Sequence, residues 1–505
     1  MKFCKILCVV LATLMLLSTF VACGENTEPT GNPQDSGNAP SDSKVDNTIV
    51  EEEPDTVSPM EEALERLTDI DWGGGEFAII FANDIGGYAE EVVAEAEASS
   101  TTSAAVINDA VYERNTLLEE MCHLTFVPIA STTAGISSAV NAEIQTNSGD
   151  FALVTNTADA TTRMATAGYL YNYLDMDIDY EQEWWDPGTL DFALGGNVFF
   201  MNGAHNIVDD DVTFVLMFNK TLQNEARIPS PYDTVRNSEW TLDYFNTIIQ
   251  GVSADNGDGK WDDKDTYGFS TPNTIGNTFF YGAGLQYVVN NRSMDVPELV
   301  LDKNMEKAVQ VLELSKQIVH ENNASYVAKP GDEALSKDVF VEGRALFYCE
   351  AASYLRALNQ TMEGDYGVVP VPKYSKEQEN YLTWTHSIGS TLSIPTSTLD
   401  EIEDQDFEAV LELYVVLSYK LVKPAYYDTM LTTRNVRDED SAEMLDMIFN
   451  YRTYDMAIYF GDLGFNPLFM DCVISNSDAF SSKYTANAKR FDRQITNILK
   501  KINKD

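Results

Sequence analysis

An α/β protein, built on largely parallel sheet covered by helices and divided into two lobes, is what this sequence predicts, and two observations carry the prediction. Between residues 76 and 154, short apolar runs alternate with segments of helical period, the pattern of successive β–α units. About 440 residues follow a leading segment that cannot build a core, in a chain that is 44% hydrophobic and 11% aromatic, so two packed bodies are expected. No internal repeat of fixed period occurs, which disfavours a solenoid or propeller.

The first element lies outside the fold. Lys2 and Lys5 lead into an apolar run from Ile6 to Ala22 that stops at Phe20-Val21-Ala22-Cys23. A basic start, a short apolar stretch and a small residue before cysteine form a bacterial lipoprotein signal over residues 1–22, with Cys23 as the lipidated residue. Phe20 stands where such boxes usually carry Leu, and a plain secretory peptide or an uncleaved anchor is the competing reading. The run of about seventeen residues is at the short limit for a bilayer span at ~1.5 Å rise per residue. Either way the rest of the chain works outside the cytoplasm, and lipidation places it on the extracellular face of the cell membrane. Gly24 to Pro59 contains no aromatic residue and is dominated by Gly, Pro, Ser, Thr, Asn, Asp and Glu. Such a segment buries too little apolar surface to offset its conformational entropy, so residues 23–71 are expected to be a disordered tether.

The folded body opens with Phe77-Ala78-Ile79-Ile80-Phe81, bounded by Gly73-Gly74-Gly75 and by Asn83-Asp84, as a buried strand should be. Ile107, Ala110, Val111, Leu118 and Met121 share one helical face, and Leu124 to Ile129 reads as the next strand. A helical pattern around Ser137 to Gln145 and the strand Phe151-Ala152-Leu153-Val154 complete the cycle. Farther on, Thr241 is a helix N-cap before Leu242, Phe245, Ile248 and Ile249; Met305 to His320 is amphipathic; and Glu408 to Val422 is a third helical block. No later stretch approaches eighteen uninterrupted apolar residues.

Charge excludes one class of partner. The chain carries 33 basic against 80 acidic residues, a net −47, and 31 against 80 once Lys2 and Lys5 leave with the signal. A field of that sign repels nucleic acid, and no basic cluster for phosphate contacts appears. With Cys4 and Cys8 removed and Cys23 lipidated, only Cys122, Cys349 and Cys472 remain, too few for a disulfide framework.

Six segments then occur in a particular order. Trp184-Trp185-Asp186 is followed by Gly196-Asn197-Val198-Phe199-Phe200 and by Phe214-Val215-Leu216-Met217-Phe218-Asn219-Lys220. Glu239-Trp240-Thr241-Leu242-Asp243 comes next, then Phe340-Val341-Glu342-Gly343-Arg344-Ala345-Leu346-Phe347, then Asp365-Tyr366-Gly367-Val368-Val369-Pro370-Val371-Pro372-Lys373. Together, over roughly residues 72 to 460, these resemble bacterial extracellular solute-binding proteins of family 1, the sugar-type lipoprotein receptors of ABC importers.

The resemblance implies a two-lobe periplasmic-binding-protein-like fold with three interlobe crossings, near 203–213, 343–347 and 370–384. The amino lobe would combine 72–205 with 345–372, and the carboxyl lobe 212–342 with 383–505. It further implies a monomeric receptor, not an enzyme, that captures a carbohydrate, an oligosaccharide above all, between its lobes and delivers it to the permease subunits. A receptor for a non-sugar solute, or a surface lipoprotein that binds or hydrolyses glycans without import, is the alternative.

A sugar presents hydroxyls that need paired donors and acceptors, and C–H faces that stack on flat rings. Trp184, Trp185, Tyr348, Tyr354 and Trp384 lie in or beside segments that the resemblance assigns to the cleft, and Asp186, Glu350, Arg344 and His386 could supply fixed hydrogen bonds. For any one ring, core packing is the competing reading.

Residues 254–265 are close to an EF-hand calcium loop, which needs six to eight oxygens around a tight Gly turn. Asn256 takes loop position 3, Asp258 position 5, Gly259 position 6, the Lys260 carbonyl position 7, Asp262 position 9 and Asp265 position 12. Position 1 is Ala254, for which Asp255 could substitute, and position 12 is Asp where Glu is usual; both departures weaken the site. The expected role is a structural calcium ion, with no organic cofactor. A turn with solvated carboxylates is the competing reading. An enzyme is not indicated. The four histidines (His123, His205, His320, His386) form no His-Glu-x-x-His, there is no Gly-x-Ser-x-Gly elbow, and Gly259-Lys260 lacks the rest of a phosphate loop.

Overall fold

The inner apolar runs, those of Ile79 and of Val154, form strands that are covered on both faces. In the computed structural model, which describes residues 57–94, 103–290, 293–294, 296–398, 404–431 and 439–502, β1 (Glu76–Ala82) is buried from Phe77 onward. It pairs in parallel with β2 (Thr125–Ser131) on one side and β3 (Leu153–Thr157) on the other, Ile80 facing Ile129 and Val154. Continuous burial of this kind is what parallel sheet under helices requires. The helices Ser103–Cys122 and Thr133–Thr146 come from the segments with helical period, and a further helix, Ala158–Ala167, follows β3; the last two are N-capped by Thr132 and Thr157.

A second sheet follows, built from β4 (Phe214–Asn219), β5 (Tyr267–Thr271), β8 (Ser325–Val327), β9 (Ala345–Ala351) and β10 (Tyr366–Val369) in the order β10-β4-β9-β5-β8. The short β6 (Val288–Val289) and β7 (Glu298–Leu299) pair apart from it. Thr241 caps the helix Leu242–Ile249 as expected, and Met305–His320 is helical over the whole predicted span. β11 (Thr383–Trp384) pairs with β13 (Arg452–Thr453), while β12 (Ser390–Ser393) returns to the first sheet, antiparallel to β3. The fold class is thus the expected one: an α/β body of two lobes joined by three crossings.

The lobe boundaries need correction. Residues 345–372 belong to the carboxyl lobe, because β9 bonds to β4 and β5 and β10 bonds to β4. Conversely, β12 and the helix Asp404–Leu417 complete the amino lobe, with Leu392, Phe407, Leu411 and Tyr414 in its core. The crossing at 203–213 stands. The one expected at 343–347 is internal to the carboxyl lobe, and the one at 370–384 lies later, between β11 and β12. The third crossing is the π-helical turn Ser418–Val422, which joins Asp404–Leu417 to Lys423–Leu431.

The tether was drawn too long. Ser58 and Glu61 close a capping box on the helix Pro59–Arg66, whose Ala63, with Leu67 and Ile70 beyond it, enters the amino-lobe core, while Arg66 pairs with Glu412 at 2.8 Å. The signal 1–22, Cys23 and the tether to residue 56 lie outside the described residues. Cys122, Cys349 and Cys472 are buried free thiols. Among the described residues, no helix is long and apolar enough to cross a membrane.

Candidate functional site

Trp184-Trp185-Asp186-Pro187-Gly188 is held where the amino lobe meets the first crossing. Asp186 caps the 3-10 turn Pro187–Phe192, the Gly188 amide donating to Asp186 Oδ1 at 3.0 Å, and Pro187 occupies the first position, where its missing N–H costs nothing. Trp185 bridges to Gly203, and a Cβ on Gly203 would sit 2.5 Å from the Trp184 carbonyl oxygen, so only glycine permits the approach. Trp184 and Trp185 are 2% and 4% exposed, and neither indole N–H has a protein partner.

Immediately downstream, the short helix Val208–Asp211 places three aspartates in the crossing. Arg452, carried by β13 of the carboxyl lobe, bonds Asp186 Oδ2 at 2.8 Å and also Asp210, and stands 3.4 Å from Asp209. Tyr454 donates to the same Asp186 oxygen at 2.6 Å. On the other side, Asp211 accepts from Tyr426 at 2.9 Å and pairs with Arg356, which reaches Glu90 at 2.8 Å. Burial pushes the Asp209 carboxyl well above the usual carboxylate range against the pull of Arg452. It pushes Asp211 up to about 6, with Arg356 pulling the other way. Glu91 accepts from the Ile207 and Val208 amides at 2.6 and 2.7 Å and from Ser390, and burial still raises it to about 7.

Asp186, Asp209, Asp210, Arg452, Tyr454 and Tyr426 border a cavity of about 530 Å³ between the two lobes. Its walls are 181–188 from the amino lobe, the first crossing over 203–210, the third crossing and its following helix over 419–427, and 449–454 from the carboxyl lobe. Trp184, Trp185, Tyr426, Tyr427, Phe449 and Tyr454 supply rings; Asp186, Asp209 and Asp210 supply acceptors; Lys423 and Arg452 supply cationic donors. Flat rings beside fixed donors and acceptors can hold a polyhydroxylated solute.

The cavity flanks the first crossing and does not lie over the carboxyl ends of the strands, where open α/β sheets usually bind ligand. There the amino lobe meets the second crossing and the carboxyl lobe directly. The Asp159 amide donates to the Ser387 carbonyl at 3.4 Å, Tyr88 to the Ile388 carbonyl at 2.7 Å, and Thr162 to the Tyr459 carbonyl at 3.1 Å. We take the cavity as the site because it joins rings and fixed polar groups, whereas the touching edges leave no comparable space.

Of the nine residues expected to bind ligand, only Trp184, Trp185 and Asp186 line this cavity. Arg344 donates to the Asp263 carbonyl at 2.6 Å and pairs with Glu342, facing the 254–265 loop. Tyr348 stacks on Phe340, ring centroids 5.5 Å apart, inside the carboxyl-lobe core, and Tyr354 meets it edge-on. Trp384 stacks on Phe214 at 4.6 Å and is core. Glu350 ends β9 and is raised by burial to about 7; His386, beside Trp384, is lowered by burial to about 4. Motif position misled here because successive strand residues face opposite sides of a sheet. The missed residues are Asp209, Asp210, Arg452, Tyr454, Tyr426 and Tyr427. One signal was available: three acids set between Ile207-Val208 and Val212 interrupt an apolar approach to a strand.

The 254–265 loop closes on its own amides. Asp255 accepts from Gly257 and Gly259, Asn256 from Asp258, Asp258 from Lys260, and Asp262 from Lys264. Buried Asp265 accepts from Asn256 and Asp262 at 2.8 and 2.7 Å. Among the described residues, no three His, Cys, Asp or Glu side chains converge as a metal site would need.

No family model matches the chain, and no curated protein matches it. Solved structures do. The maltose/maltodextrin-binding domain of MalE from Bdellovibrio bacteriovorus, bound to maltotriose, is 15% identical over 83% of this chain and 100% of that one, with a TM-score of 0.51. An ABC substrate-binding protein from Listeria monocytogenes in complex with cycloalternan is 13% identical over 84% and 99%, TM-score 0.53. UgpB from Mycobacterium tuberculosis in complex with glycerophosphocholine is 16% identical over 84% and 99%, TM-score 0.52. At these identities the likeness establishes the fold, that of the two-lobed substrate-binding proteins.

Proposed function

We propose that this chain is the solute-capturing receptor of an ABC importer, held on the extracellular face of the membrane through lipid on Cys23, and that its solute is a carbohydrate. The observation that carries the proposal is the interlobe cavity, where the rings of Trp184, Trp185, Tyr426, Tyr427 and Tyr454 stand beside the carboxylates of Asp186, Asp209 and Asp210 and the cations of Lys423 and Arg452. A sugar can lay its C–H faces on such rings while its hydroxyls accept from the cations and donate to the carboxylates. That the described fold is shared with receptors crystallised with maltotriose and cycloalternan supports the same reading. The receptor's role is binding, without chemistry: ligand stabilises the lobe arrangement that the permease recognises. A calcium ion in the 254–265 loop belongs to the proposal only as a weak structural pin.

A thermal-shift screen of the chain against mono- and oligosaccharides, amino acids and glycerophosphodiesters tests it. Ligand held at 100 times its Kd adds about 2.7 kcal/mol. A shift confined to one glycan class is the expected result; a shift only with amino acids or phosphodiesters sinks the carbohydrate reading.

A further inference from the structure

The two arginines at the first crossing are arranged as a matched pair. Arg452 comes from the carboxyl lobe and joins Asp186 of the amino lobe to Asp210, with Asp209 also in reach. Arg356, from the carboxyl-lobe helix Ser353–Thr361, joins Glu90 of the amino lobe to Asp211. Each cation therefore touches one carboxylate of the opposite lobe and at least one of the crossing itself, and the crossing aspartates are consecutive in sequence. Glu91 also lies against the crossing, bonded to the Ile207 and Val208 amides, and two further cations stand nearby: Arg114, bonded to the Glu91 carbonyl at 2.8 Å, and Lys423, on the cavity wall with Asp210.

We propose that Arg356 and Arg452 are positioning residues that set the angle between the lobes, clamping the first crossing from both sides before any ligand arrives. The physical reason is the sign of what they neutralise. With both cations present, five carboxylates (Glu90, Asp186, Asp209, Asp210 and Asp211) share two bridging charges. Without them, the ion pairs that tie the amino-lobe carboxylates to the carboxyl lobe are lost, in a partly desolvated seam where screening by salt is weak. The lobes remain covalently tied by three crossings, one of which is the π-helical turn Ser418–Val422, a geometry frequent at functional sites. Losing these ties would therefore let the lobes rotate apart about the crossings. The inference rests on the two-lobe fold and not on the identity of the ligand.

The test uses the unlipidated chain from Gly24 onward, ligand-free, by small-angle scattering and hydrogen exchange. Arg356→Gln with Arg452→Gln is expected to raise the radius of gyration beyond error. It should also speed amide exchange in Ala158–Ala167 and Met456–Tyr459, segments that meet across the lobes, while β1 and β9 stay protected. Glu90→Gln with Asp186→Asn removes only the cross-lobe partners, leaves the arginines on the crossing aspartates and keeps the Asp186 cap; it should open the lobes in the same direction. If the arginine variant fails to fold, this second variant decides. Either variant folded, with wild-type radius and wild-type exchange at the interlobe segments, overturns the proposal. Failure of every sugar to bind would leave this result untouched, so the two readings fail separately.

Discussion

Trp384 separates a ligand ring from a core ring. Its indole lies on Phe214 with centroids 4.6 Å apart and planes 19° from parallel, 2% exposed, and it is absent from the walls of the cavity. Truncating a buried Trp to Ala costs about 3–5 kcal/mol, and the stacked pair contributes to that figure. The indole N–H has no partner, so its removal also relieves a desolvation cost of about 1–3 kcal/mol. The net loss for Trp384→Ala is then at the low end, about 3 kcal/mol. With an m-value of about 3 kcal/mol/M, the urea midpoint falls by about 1 M. Trp384→Phe keeps a ring on Phe214 and should recover most of the loss. Equilibrium urea unfolding followed by far-UV circular dichroism measures both, with solute affinity measured in parallel by calorimetry. An unchanged midpoint together with lost affinity would refute the core assignment and return Trp384 to the ligand site.

Glu91 gives a pH signature. Burial pushes its carboxyl up to about 7 from the ordinary glutamate value of 4.5, so the native state holds a proton that the unfolded chain has released, and stability falls as pH rises from 4.5 to about 7. The stability of wild type relative to Glu91→Gln should drop by an amount on the order of 3 kcal/mol between pH 4.5 and 7.5, and parallel melting curves for the two proteins would show that Glu91 ionises normally. Starting the chain at residue 72 removes Ala63, Leu67 and Ile70 from the core and should cost about 3–5 kcal/mol relative to a start at residue 57, read as a lower Tm; equal melting would make 57–71 part of the tether. If the 254–265 loop takes calcium with a Kd of about 1 mM, 10 mM Ca²⁺ adds about 1.4 kcal/mol, visible as a Tm rise that equal Mg²⁺ does not produce. No difference between the ions removes calcium from the description.

Local signals were readable wherever a short-range rule decides the outcome. Phe77 to Phe81 forms a strand because an apolar run between Gly and Asn-Asp boundaries has nowhere else to bury itself, and Met305–His320 is helical because its apolar residues share one face. Thr241 caps its helix through its own hydroxyl, 3.3 Å from the Tyr244 amide. Ser58-x-x-Glu61 was equally local, yet the polar composition around it masked the capping box. Trp184-Trp185-Asp186, expected to bind ligand, lines the interlobe cavity, where Asp186 is bound to a turn by its neighbours Pro187 and Gly188.

Residue order alone thus determined the α/β class, the positions of the first three strands and of several helices, and the acidic character of the chain. Which sheet receives β9, β10 and β12 was decided by hydrogen bonds to strands more than fifty residues away, and nothing in those segments specifies the partner. The same holds for Arg452: it finds Asp186 and Asp210 across more than two hundred residues, and its role exists only once two lobes bring opposite charges together. Periodicity and capping act over one or two turns of chain, whereas sheet pairing, burial and charge compensation are properties of the packed molecule.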